Sequence, residues 1–429
     1  MNSIWGTAMP SFSCLRGNRV AEVLIIGGGI TGLLCAHSLR SNGVDAVLVE
    51  ASTVCSGITK NTTAKITAQH GLCYHKLLQT LGLERAQQYL RANLAAVERY
   101  RELCRDIHCD FTEADSYVYS LQRRLPLELE AKALELLGYE AEFCDTPALP
   151  FSTFGAIRFR NQAQFHPLKF LSAIAAELEI YENTTVLELL PHQAVTDRGT
   201  IKAEHIIVAT HFPFLNKHGS YFLKLYQDRS YVLALQNAPN VGGMYVDAAQ
   251  HGLSLRNYGS LLLLGGGGHR TGKQGSNWDM LTEFTQKYYP QAQIVARWAT
   301  QDCMTLDGVP YIGKYGKHTD GLYVATGFGK WGMTNAMVAA TLLTDLILGK
   351  DYPYSDIFDP LRTMLHPQLA KNAASAAINL LTPTVPRCPH LGCALKWNPQ
   401  ERSWDCPCHG SRFTEDGKLI DNPATGDKK

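Results

Sequence analysis

The chain has 429 residues, of which 45% are hydrophobic and 18% charged, a composition typical of a globular protein with two or more domains. Its 40 basic and 39 acidic side chains leave a formal net charge of +1, so bulk charge gives no reason to expect nucleic acid or a membrane surface as a partner. The N-terminal segment has no apolar run of signal-peptide length, and no later apolar run is long enough to span a membrane. We therefore expect a cytoplasmic protein without a transmembrane segment.

The first predicted element is a short apolar strand followed by a glycine-rich turn and a helix. Gly27, Gly29 and Gly32 stand in GxGxxG spacing between them. Gly27 permits the tight turn, Gly29 lets the backbone approach a pyrophosphate, and Gly32 lets the helix pack closely on the strand. A second apolar strand ends in Glu50, the position of an acid that hydrogen-bonds a ribose hydroxyl. These elements predict a dinucleotide-binding domain but do not decide between NAD and FAD.

The middle of the chain combines helical and strand patterns. Residues 75–105 are rich in Leu, Ala, Glu and Arg at helical spacing, which predicts a pair of helices. Residues 230–264 are typical of strands, on which Tyr231 and Arg256 are candidates to hold a substrate carboxylate. Four glycines follow at residues 265–268, but their spacing to the next residues does not match a second GxGxxG. We predict a strand that ends there in a glycine turn, not a second nucleotide site.

A second glycine-rich helix start occupies residues 326–334 (TGFGKWGMT) and contains Gly327, Gly329 and Gly332. The positive end of a helix dipole at such a place can stabilise charge on a reduced flavin ring. The order GGGITG, HIIVAT, LDGVPYIG and GFG resembles the glycine and D-amino-acid oxidase superfamily of FAD enzymes, over residues 20–350. The resemblance implies an α/β fold in which a Rossmann-like FAD-binding domain is interleaved with an α+β substrate domain.

Residues 56–70 (SGITKNTTAKITAQH) resemble a subgroup in which this FAD domain is fused to a C-terminal Rieske domain. In related amine oxidases the matching segment passes beside the flavin and carries a basic residue, a position that Lys65 takes here; a solvated surface lysine is the alternative. Ser56 and Thr63 are candidates to donate hydrogen bonds to FAD, or else are cap and turn residues. His70 is a candidate general base, with an ordinary hydrogen-bonded histidine as the alternative. Lys65 and His70 are therefore the predicted catalytic residues.

Two short cysteine and histidine loops lie near the C-terminus: CPHLGC, with Cys388 and His390, and CPCHGS, with Cys406 and His409. The spacing CxHx15CxxH supplies one Cys and one His from each loop. A [2Fe–2S] cluster with two thiolates on one iron and two imidazoles on the other needs this set. The pattern resembles Rieske proteins. A structural zinc site is the alternative, although zinc spacing usually pairs like residues within a loop.

The Rieske resemblance also implies a disulfide between Cys393 and Cys408, which stand where respiratory-type Rieske domains join their two loops. Few residues remain for the module, so we expect a truncated all-β cluster-binding module that leans on the FAD domain. The leader is expected to fold back on the FAD domain through Trp5. The predicted organisation is a leader (1–20), an FAD-dependent oxidoreductase domain (20–350), a helical, proline-rich linker (351–386) and a truncated Rieske domain (387–429).

Together these patterns predict an oxidoreductase that depends on FAD and on a Rieske [2Fe–2S] cluster. It would take a hydride from a C–N or C–OH bond of a small amine or amino acid and exchange single electrons between flavin and cluster, in either direction. The expected partners are a small-molecule substrate and an external one-electron carrier such as a ferredoxin or a reductase. The alternatives are a non-catalytic electron-transfer or redox-sensing protein and a zinc-stabilised FAD oxidase.

Overall fold

The computed structural model of the protein describes residues 3–215, 218–275, 277–383 and 386–428. Within these ranges the helices are α1 (Ile30–Ser41), α2 (Tyr74–Leu81), α3 (Leu83–Leu103), α4 (Leu125–Leu136), α5 (Pro167–Ala175), α6 (Tyr221–Lys224), α7 (Asn277–Tyr288), α8 (Gly332–Ile347), α9 (Ser355–Phe358) and α10 (Pro367–Leu381), with a 3-10 helix at Ile58–Asn61. The strands are β1 (Arg19–Ile26), β2 (Ala46–Val49), β3 (Lys65–Ile66), β4 (Thr112–Tyr119), β5 (Glu142–Cys144), β6 (Ala156–Gln164), β7 (Glu179–Tyr181), β8 (Val186–Leu190), β9 (Gln193–Thr196), β10 (Gly199–Val208), β11 (Leu225–Gln236), β12 (Met244–Asp247), β13 (Ser254–Tyr258), β14 (Leu261–Arg270), β15 (Gln293–Thr305), β16 (Tyr311–Lys314), β17 (Leu322–Thr326), β18 (Lys396–Asn398), β19 (Ser403–Asp405), β20 (Arg412–Thr414) and β21 (Leu419–Asp421). This mixture confirms the predicted α/β class.

The first sheet carries the dinucleotide-type topology. Its strand order is β16-β17-β10-β1-β2-β7, and β1 pairs in parallel with both β2 and β10. Buried aliphatic residues such as Val23, Ile25 and Leu48 form continuous runs in β1 and β2, as expected for parallel strands covered on both faces. Helix α1 follows β1 directly and packs against α8. Both glycine-rich helix starts therefore belong to helices that cover this sheet.

The second sheet is mainly antiparallel and runs β15-β11-β14-β13-β12-β4-β6-β3, with β5 paired to β6. Strand β14 lies between β11 and β13 and packs against α7. The prediction of a strand that ends in a turn at residues 265–268 is wrong. Strand β14 continues through all four glycines to Arg270, because Gly265 and Gly266 pair with Val232 and Tyr231 of β11. The neighbouring strand supplies the hydrogen-bonding partner that a glycine run lacks on its own.

The predicted helical pair at residues 75–105 is confirmed as α2 and α3, which meet at Gly82. The leader folds back as expected: Trp5 is buried, and its indole N–H donates to the carbonyl of Thr62 at 2.7 Å. None of the helices in the described part of the chain is long and apolar enough to cross a membrane.

The C-terminal module follows α10 and consists of the four-stranded antiparallel sheet β18-β19-β20-β21. Its small core holds Leu395, Phe413 and Ala424 together with four cysteines. The module rests on the second sheet at close range. A Cβ atom on Gly272 would lie 2.7 Å from Pro407, and one on Gly410 would lie 2.7 Å from the Cβ of Gln227. The expected support of the module by its neighbour is therefore present as direct packing.

Candidate cofactor and cluster site

A cavity of about 830 Å³ lies where the two large sheets and the C-terminal module meet. The first sheet contributes the ends of β1, β2 and β17, and the second sheet contributes parts of β11, β14 and β15. The C-terminal module adds a third wall through Leu419–Asp421 and residues 422, 424 and 425. A ligand in this cavity would therefore touch both the FAD-type fold and the cysteine-rich module.

The glycine-rich turn at one end of the cavity is built for close backbone approach. Gly27 has φ +111°, and a Cβ there would lie 2.6 Å from the carbonyl oxygen of Ala209. A Cβ on Gly32 would overlap the carbonyl oxygen of Gly27, so the helix can pack this closely only with glycine. Helix α1 has no acidic residue in its first turn. Its positive end is therefore free to face a pyrophosphate.

Glu50 lies at the end of β2, where the sequence predicted a ribose-binding acid. Its carboxylate accepts hydrogen bonds from the backbone N–H of Gly28 at 2.7 Å and of Ser52 at 2.9 Å. Burial raises the pKa of Glu50, an effect that these backbone bonds oppose. The carboxylate thus ties the glycine-rich turn to the second strand while it lines the cavity.

The structure brings most of the predicted FAD residues to one cavity. Gly32 lies behind the lining, where it supports the turn. Gly332 is the first residue of α8 and has open space in front of it. The predicted FAD residues that line the cavity are Gly27, Gly29, Glu50, Ser56, Thr63, Lys65, Gly327, Gly329 and Gly332.

Lys65 lies on the short strand β3, which pairs with β6 at the end of the second sheet. Its side chain is half-buried and lines the cavity, and Nζ donates to the hydroxyl of Thr63 at 3.3 Å. Burial, and then the charge of Arg256, lowers the pKa of Lys65 to about 7. The amine can therefore hold or release a proton near neutral pH.

His70 does not reach the cavity. Its ring stacks on Trp331 at 4.9 Å between centroids, and it is Trp331 that lines the cavity. Nδ1 lies 2.7 Å from the hydroxyl of Tyr89, and Nε2 lies 2.9 Å from that of Thr334. Burial lowers the pKa of His70 to about 3. With both ring nitrogens engaged in the core, the geometry matches the alternative of an ordinary hydrogen-bonded histidine.

Tyr231 and Arg256, the two candidates for a substrate carboxylate, are not brought together. Arg256 is fully buried, donates from Nη1 to Gln164 at 2.8 Å, and lies 5.4 Å from the ring of Trp5. It is not among the described residues that line the cavity. Tyr231 does line the cavity, but its hydroxyl donates to Glu401 at 3.0 Å. The prediction that Tyr231 and Arg256 together hold a substrate carboxylate is therefore wrong.

The four predicted cluster ligands converge at the edge of the C-terminal module. The rings of His390 and His409 are 4.9 Å apart between centroids. A hydrogen bond from Cys406 lowers the pKa of Cys388 to about 7, which favours its thiolate. Nδ1 of His409 is buried without a hydrogen-bond partner, as expected of a nitrogen that would bind a metal. The donor set therefore fits a cluster with two thiolates and two imidazoles.

Cys393 and Cys408 form a disulfide that joins the two loops, with Cα atoms 6.7 Å apart. The sulfur atoms of Cys393, Cys406 and Cys408 lie within 4.8 Å of one another. Because two of these sulfurs are bonded to each other, only Cys406 of the three offers a thiolate to a metal.

The wall between the cavity and the second cysteine loop contains two buried glutamines. Gln301 lines the cavity, and its amide N–H donates to the carbonyl of Gly410 at 2.9 Å. The amide of Gln227 donates to the carbonyl of His409 at 2.8 Å, and its oxygen lies 3.1 Å from Nε2 of the cavity-lining His211. At Gln301, a single side chain therefore separates the cavity from the loop that carries His409.

A buried ion-pair network fastens the module to the second sheet. Glu401 of the module binds Arg229 of β11 and also Arg412 of its own sheet, the latter at 2.8 Å. Arg412 further contacts Asp405 and Asp421, each at 3.0 Å. Burial would raise the pKa of Glu401, but Arg229 and Arg412 lower it to about 2. The carboxylate is therefore charged at neutral pH and holds two elements of distant sequence together.

Sequence reasoning missed several polar residues at this site, because they belong to no recognised motif. The available signal was that short polar stretches, residues 227–230 and 300–302, interrupt two strands that are otherwise largely apolar. These residues are His211, Gln227, Asp228, Ser230, Gln301, Asp302 and Glu401.

Comparison with known families agrees with this geometry. Residues 22–346 match the FAD dependent oxidoreductase family (DAO), and residues 381–428 match the Rieske [2Fe-2S] domain. The chain therefore belongs to the FAD dependent oxidoreductase family and carries a C-terminal Rieske domain. Its cofactors are FAD and a [2Fe–2S] cluster, which confirms both resemblances.

Relatives share this organisation in whole or in part. The Bacillus subtilis (strain 168) protein YhfW, named as a Rieske 2Fe-2S iron-sulfur protein, is 35% identical to this chain over an alignment of 483 positions. The alignment covers 97% of this chain and 94% of the relative. The cytochrome b6-f complex iron-sulfur subunit 3 of Nostoc sp. (strain PCC 7120) is 50% identical over 40 residues, which are 9% of this chain and 22% of that subunit. The first similarity spans both domains, and the second is confined to a short segment.

Solved structures resemble the larger part of the chain. L-proline dehydrogenase from P. horikoshii superimposes with a TM-score of 0.69 at 18% identity, covering 81% of this chain and 98% of that one. Glycine oxidase from Geobacillus kaustophilus gives a TM-score of 0.65 at 19% identity, covering 81% of this chain and 100% of that one. At these identities the similarity establishes the fold alone.

Proposed function

We propose that this FAD-dependent oxidoreductase oxidises a C–N bond of a small amine or amino acid and that single electrons pass between its FAD site and its Rieske cluster within one chain. When bound, FAD supplies hydride acceptance and the cluster supplies one-electron transfer. The observation that carries the proposal is the shared wall: Gln301 both lines the cavity and donates to Gly410 in the second cysteine loop.

The residue assignments are part of this proposal. Cys388, His390, Cys406 and His409 would hold the cluster, and a Cys393–Cys408 disulfide would join their loops. The domain divisions at 1–20, 20–350, 351–386 and 387–429 belong to the same proposal. The residues that would hold or support FAD are Gly27, Gly29, Gly32, Glu50, Ser56, Thr63, Lys65, Gly327, Gly329 and Gly332.

The protein positions the cluster loop through side chains of its larger domain. Gln227 and Gln301 fix the backbone of His409 and Gly410 by hydrogen bonds. Phe212, next to the cavity-lining His211, packs its ring 6.1 Å from that of His409. Because these contacts are buried, water is excluded from the wall and the loop is held in one place. A fixed, dry separation of this kind favours electron transfer within the chain over transfer that requires domain motion.

Lys65 is the residue of the cavity best suited to handle a proton. An amine reaches the site mainly as an ammonium ion and must lose a proton before its carbon can release a hydride. Nζ of Lys65, with a pKa of about 7, can accept that proton above neutral pH. The hydroxyl of Thr63 orients Nζ from a distance of 3.3 Å.

The test is anaerobic mixing of the holoprotein with a panel of small amines and amino acids. Flavin absorbance reports the first step, and the EPR signal of a reduced Rieske cluster reports the second. We expect bleaching of the flavin followed by the EPR signal. If no compound of the panel bleaches the flavin while a reduced ferredoxin or reductase does, the protein is an electron-transfer or redox-sensing protein instead.

A matched pair of variants tests the wall itself. Gln301→Leu removes the hydrogen bond to Gly410 and should slow the appearance of the EPR signal without slowing flavin bleaching. Gln79→Leu, at an exposed position of α2, should change neither rate. Equal rates in wild type and Gln301→Leu would exclude this wall as the route.

A further inference from the structure

The glycine run of β14 forms a bare part of the cavity wall. Gly265, Gly266 and Gly268 line the cavity with backbone atoms alone. A Cβ on Gly268 would lie 2.9 Å from the carbonyl oxygen of Arg229 and 3.1 Å from Nδ1 of His251. The glycines therefore let neighbouring strands and side chains approach β14 closely, and this part of the wall presents only backbone atoms to the cavity. The groups that border this part of the cavity decide which ligand can occupy it.

Two carboxylates stand side by side at this wall. Asp228 of β11 and Asp302 of β15 are direct partners in the antiparallel register, so both side chains lie on the same face of the sheet. Asp302 is half-buried and lines the cavity, and its Oδ2 accepts a hydrogen bond from the hydroxyl of Ser230 at 3.1 Å. Asp228 is 2% exposed, and its Oδ2 has no hydrogen-bond partner. A pair of like charges in this arrangement is unfavourable, and burial, with a smaller contribution from Asp228, raises the pKa of Asp302. Either a proton or a cation relieves the repulsion within the pair.

The nearby cations of the chain act on the two carboxylates through space. Arg229 is engaged by Glu401, although its charge also acts on Asp302. Arg270 is the register partner of Asp228 on β14 and interacts with its charge, while its Nη1 donates to Asn372. Lys330 is exposed, and its Nζ donates to the carbonyl of Gln250 at 3.2 Å, although its charge does act on Asp302. Among the described residues none of these cations makes an ion pair with Asp302. The carboxylate thus keeps one oxygen for a ligand.

The spacing favours an organic cation over a metal ion. Among the described residues, three or more His, Cys, Asp or Glu ligand atoms lie within 4.8 Å of one another only in the cysteine group of the C-terminal module. Asp228, Asp302 and His251 therefore do not form a compact metal site. The described lining also contains no arginine that could clamp a substrate carboxylate through two hydrogen bonds.

We infer that Asp302, oriented by Ser230 and backed by Asp228, binds the cationic nitrogen of the substrate, so that the protein prefers a simple amine to the corresponding amino acid. This inference rests on the proposed oxidation of a C–N bond and narrows its substrate class. The ammonium group would donate hydrogen bonds to Asp302 over the bare glycine wall. Asp228 would add its negative charge from beneath, at a distance set by the strand register.

Three compounds of matched shape test the inference: butylamine, norvaline and 1-butanol. Norvaline adds a carboxylate to butylamine, and 1-butanol replaces its ammonium group by a hydroxyl. Binding to the holoprotein is measured anaerobically by perturbation or bleaching of the flavin spectrum. We expect butylamine to bind at least tenfold more tightly than either of the other compounds. Norvaline binding as tightly as butylamine would overturn the inference.

Substitutions of Asp302 and Ser230 test whether these residues bind the ammonium group of butylamine. Asp302→Asn should weaken butylamine binding at least tenfold and leave 1-butanol binding unchanged, and Ser230→Ala should weaken butylamine binding by a smaller factor. Asp279→Asn, an exposed carboxylate on α7, is the matched control and should bind all three compounds as wild type does. The FAD content and the cluster EPR signal establish that each variant is folded. Unchanged butylamine binding in a folded Asp302→Asn protein would refute the role of Asp302.

The outcomes separate this inference from the proposed function. Selective butylamine binding that Asp302→Asn abolishes, without any flavin bleaching, would support the binding subsite and refute amine oxidation. Flavin bleaching by norvaline that is insensitive to Asp302→Asn would support the oxidation and overturn the subsite.

Discussion

Replacement of Glu401 by Gln tests whether a buried charge holds the Rieske module on the larger domain. The side chain of Glu401 is 9% exposed, and its carboxylate contacts Arg229 and Arg412, which are 3% and 6% exposed. It also accepts a hydrogen bond from the hydroxyl of Tyr231 at 3.0 Å. Glutamine keeps the size of the side chain but removes its charge. Two buried guanidinium groups would then lose a shared partner.

The expected loss of stability follows from the pKa of Glu401. Arg229 and Arg412 lower it from a usual value of 4.5 to about 2. At about 1.4 kcal/mol per pKa unit, this corresponds to about 3 kcal/mol of stabilisation at neutral pH. Loss of one partner from a buried ion pair typically costs about 3–5 kcal/mol, which agrees in size. We therefore expect Glu401→Gln to destabilise the docked module by about 3 kcal/mol.

The pKa of Glu401 also determines how its contribution to stability changes with pH. Because the folded pKa is below the unfolded one, the stabilisation is fully present above about pH 4.5 and is lost as the pH falls towards 2. The difference in the free energy of unfolding between wild type and Glu401→Gln should therefore become smaller below pH 4.5. Glu415→Gln is the control, because Glu415 forms an exposed pair with Arg402 on the same module.

The assay is urea denaturation followed by tryptophan fluorescence, with loss of cluster absorbance as a second probe at neutral pH. Trp397 and Trp404 of the module pack 5.2 Å apart between centroids and should report on its unfolding. We expect a lower urea midpoint for Glu401→Gln and an unchanged midpoint for Glu415→Gln. Equal urea midpoints for wild type and Glu401→Gln would refute the stabilising role of the Glu401 charge. A difference between the two midpoints that stays the same below pH 4.5 would also refute it.

Three further outcomes are expected. Gly32→Ala should purify without FAD, since a Cβ there overlaps backbone, whereas Gly6→Ala, at an exposed residue where a Cβ meets no atom within 4 Å, should keep the FAD-to-protein ratio of wild type. Trp5→Ala should lower the free energy of unfolding by about 3–5 kcal/mol in urea denaturation, and Leu365→Ala, at a residue 90% exposed, should leave it unchanged. His70→Asn should lower the thermal midpoint but leave the pH profile of flavin reduction unaltered; a shifted profile would restore a catalytic role for this residue.

The sequence alone determined the features that are written in contiguous residues. The strand, glycine turn and helix around Gly27 form one local unit, whose steric demands select glycine whatever surrounds it. The four Cys and His positions of the C-terminal loops are likewise recognisable, since a cluster needs a fixed set of donor atoms at short spacing. These two motifs predicted a dinucleotide-binding domain and a C-terminal cluster. The choice of FAD and of the family also required the second glycine-rich helix start at residues 326–334 and the order of the segments between the two glycine-rich turns.

Tertiary structure decided everything that depends on pairing between distant segments. Gln227 and His409 are 182 positions apart, and Asp228 meets Asp302 only through the register of β11 and β15. His70 follows Lys65 closely in sequence, yet only Lys65 reaches the cavity. Strand register and domain docking are set by the burial of many side chains at once, so no local pattern encodes them. The motifs therefore named the cofactors, and the packing determined which side chains stand between them.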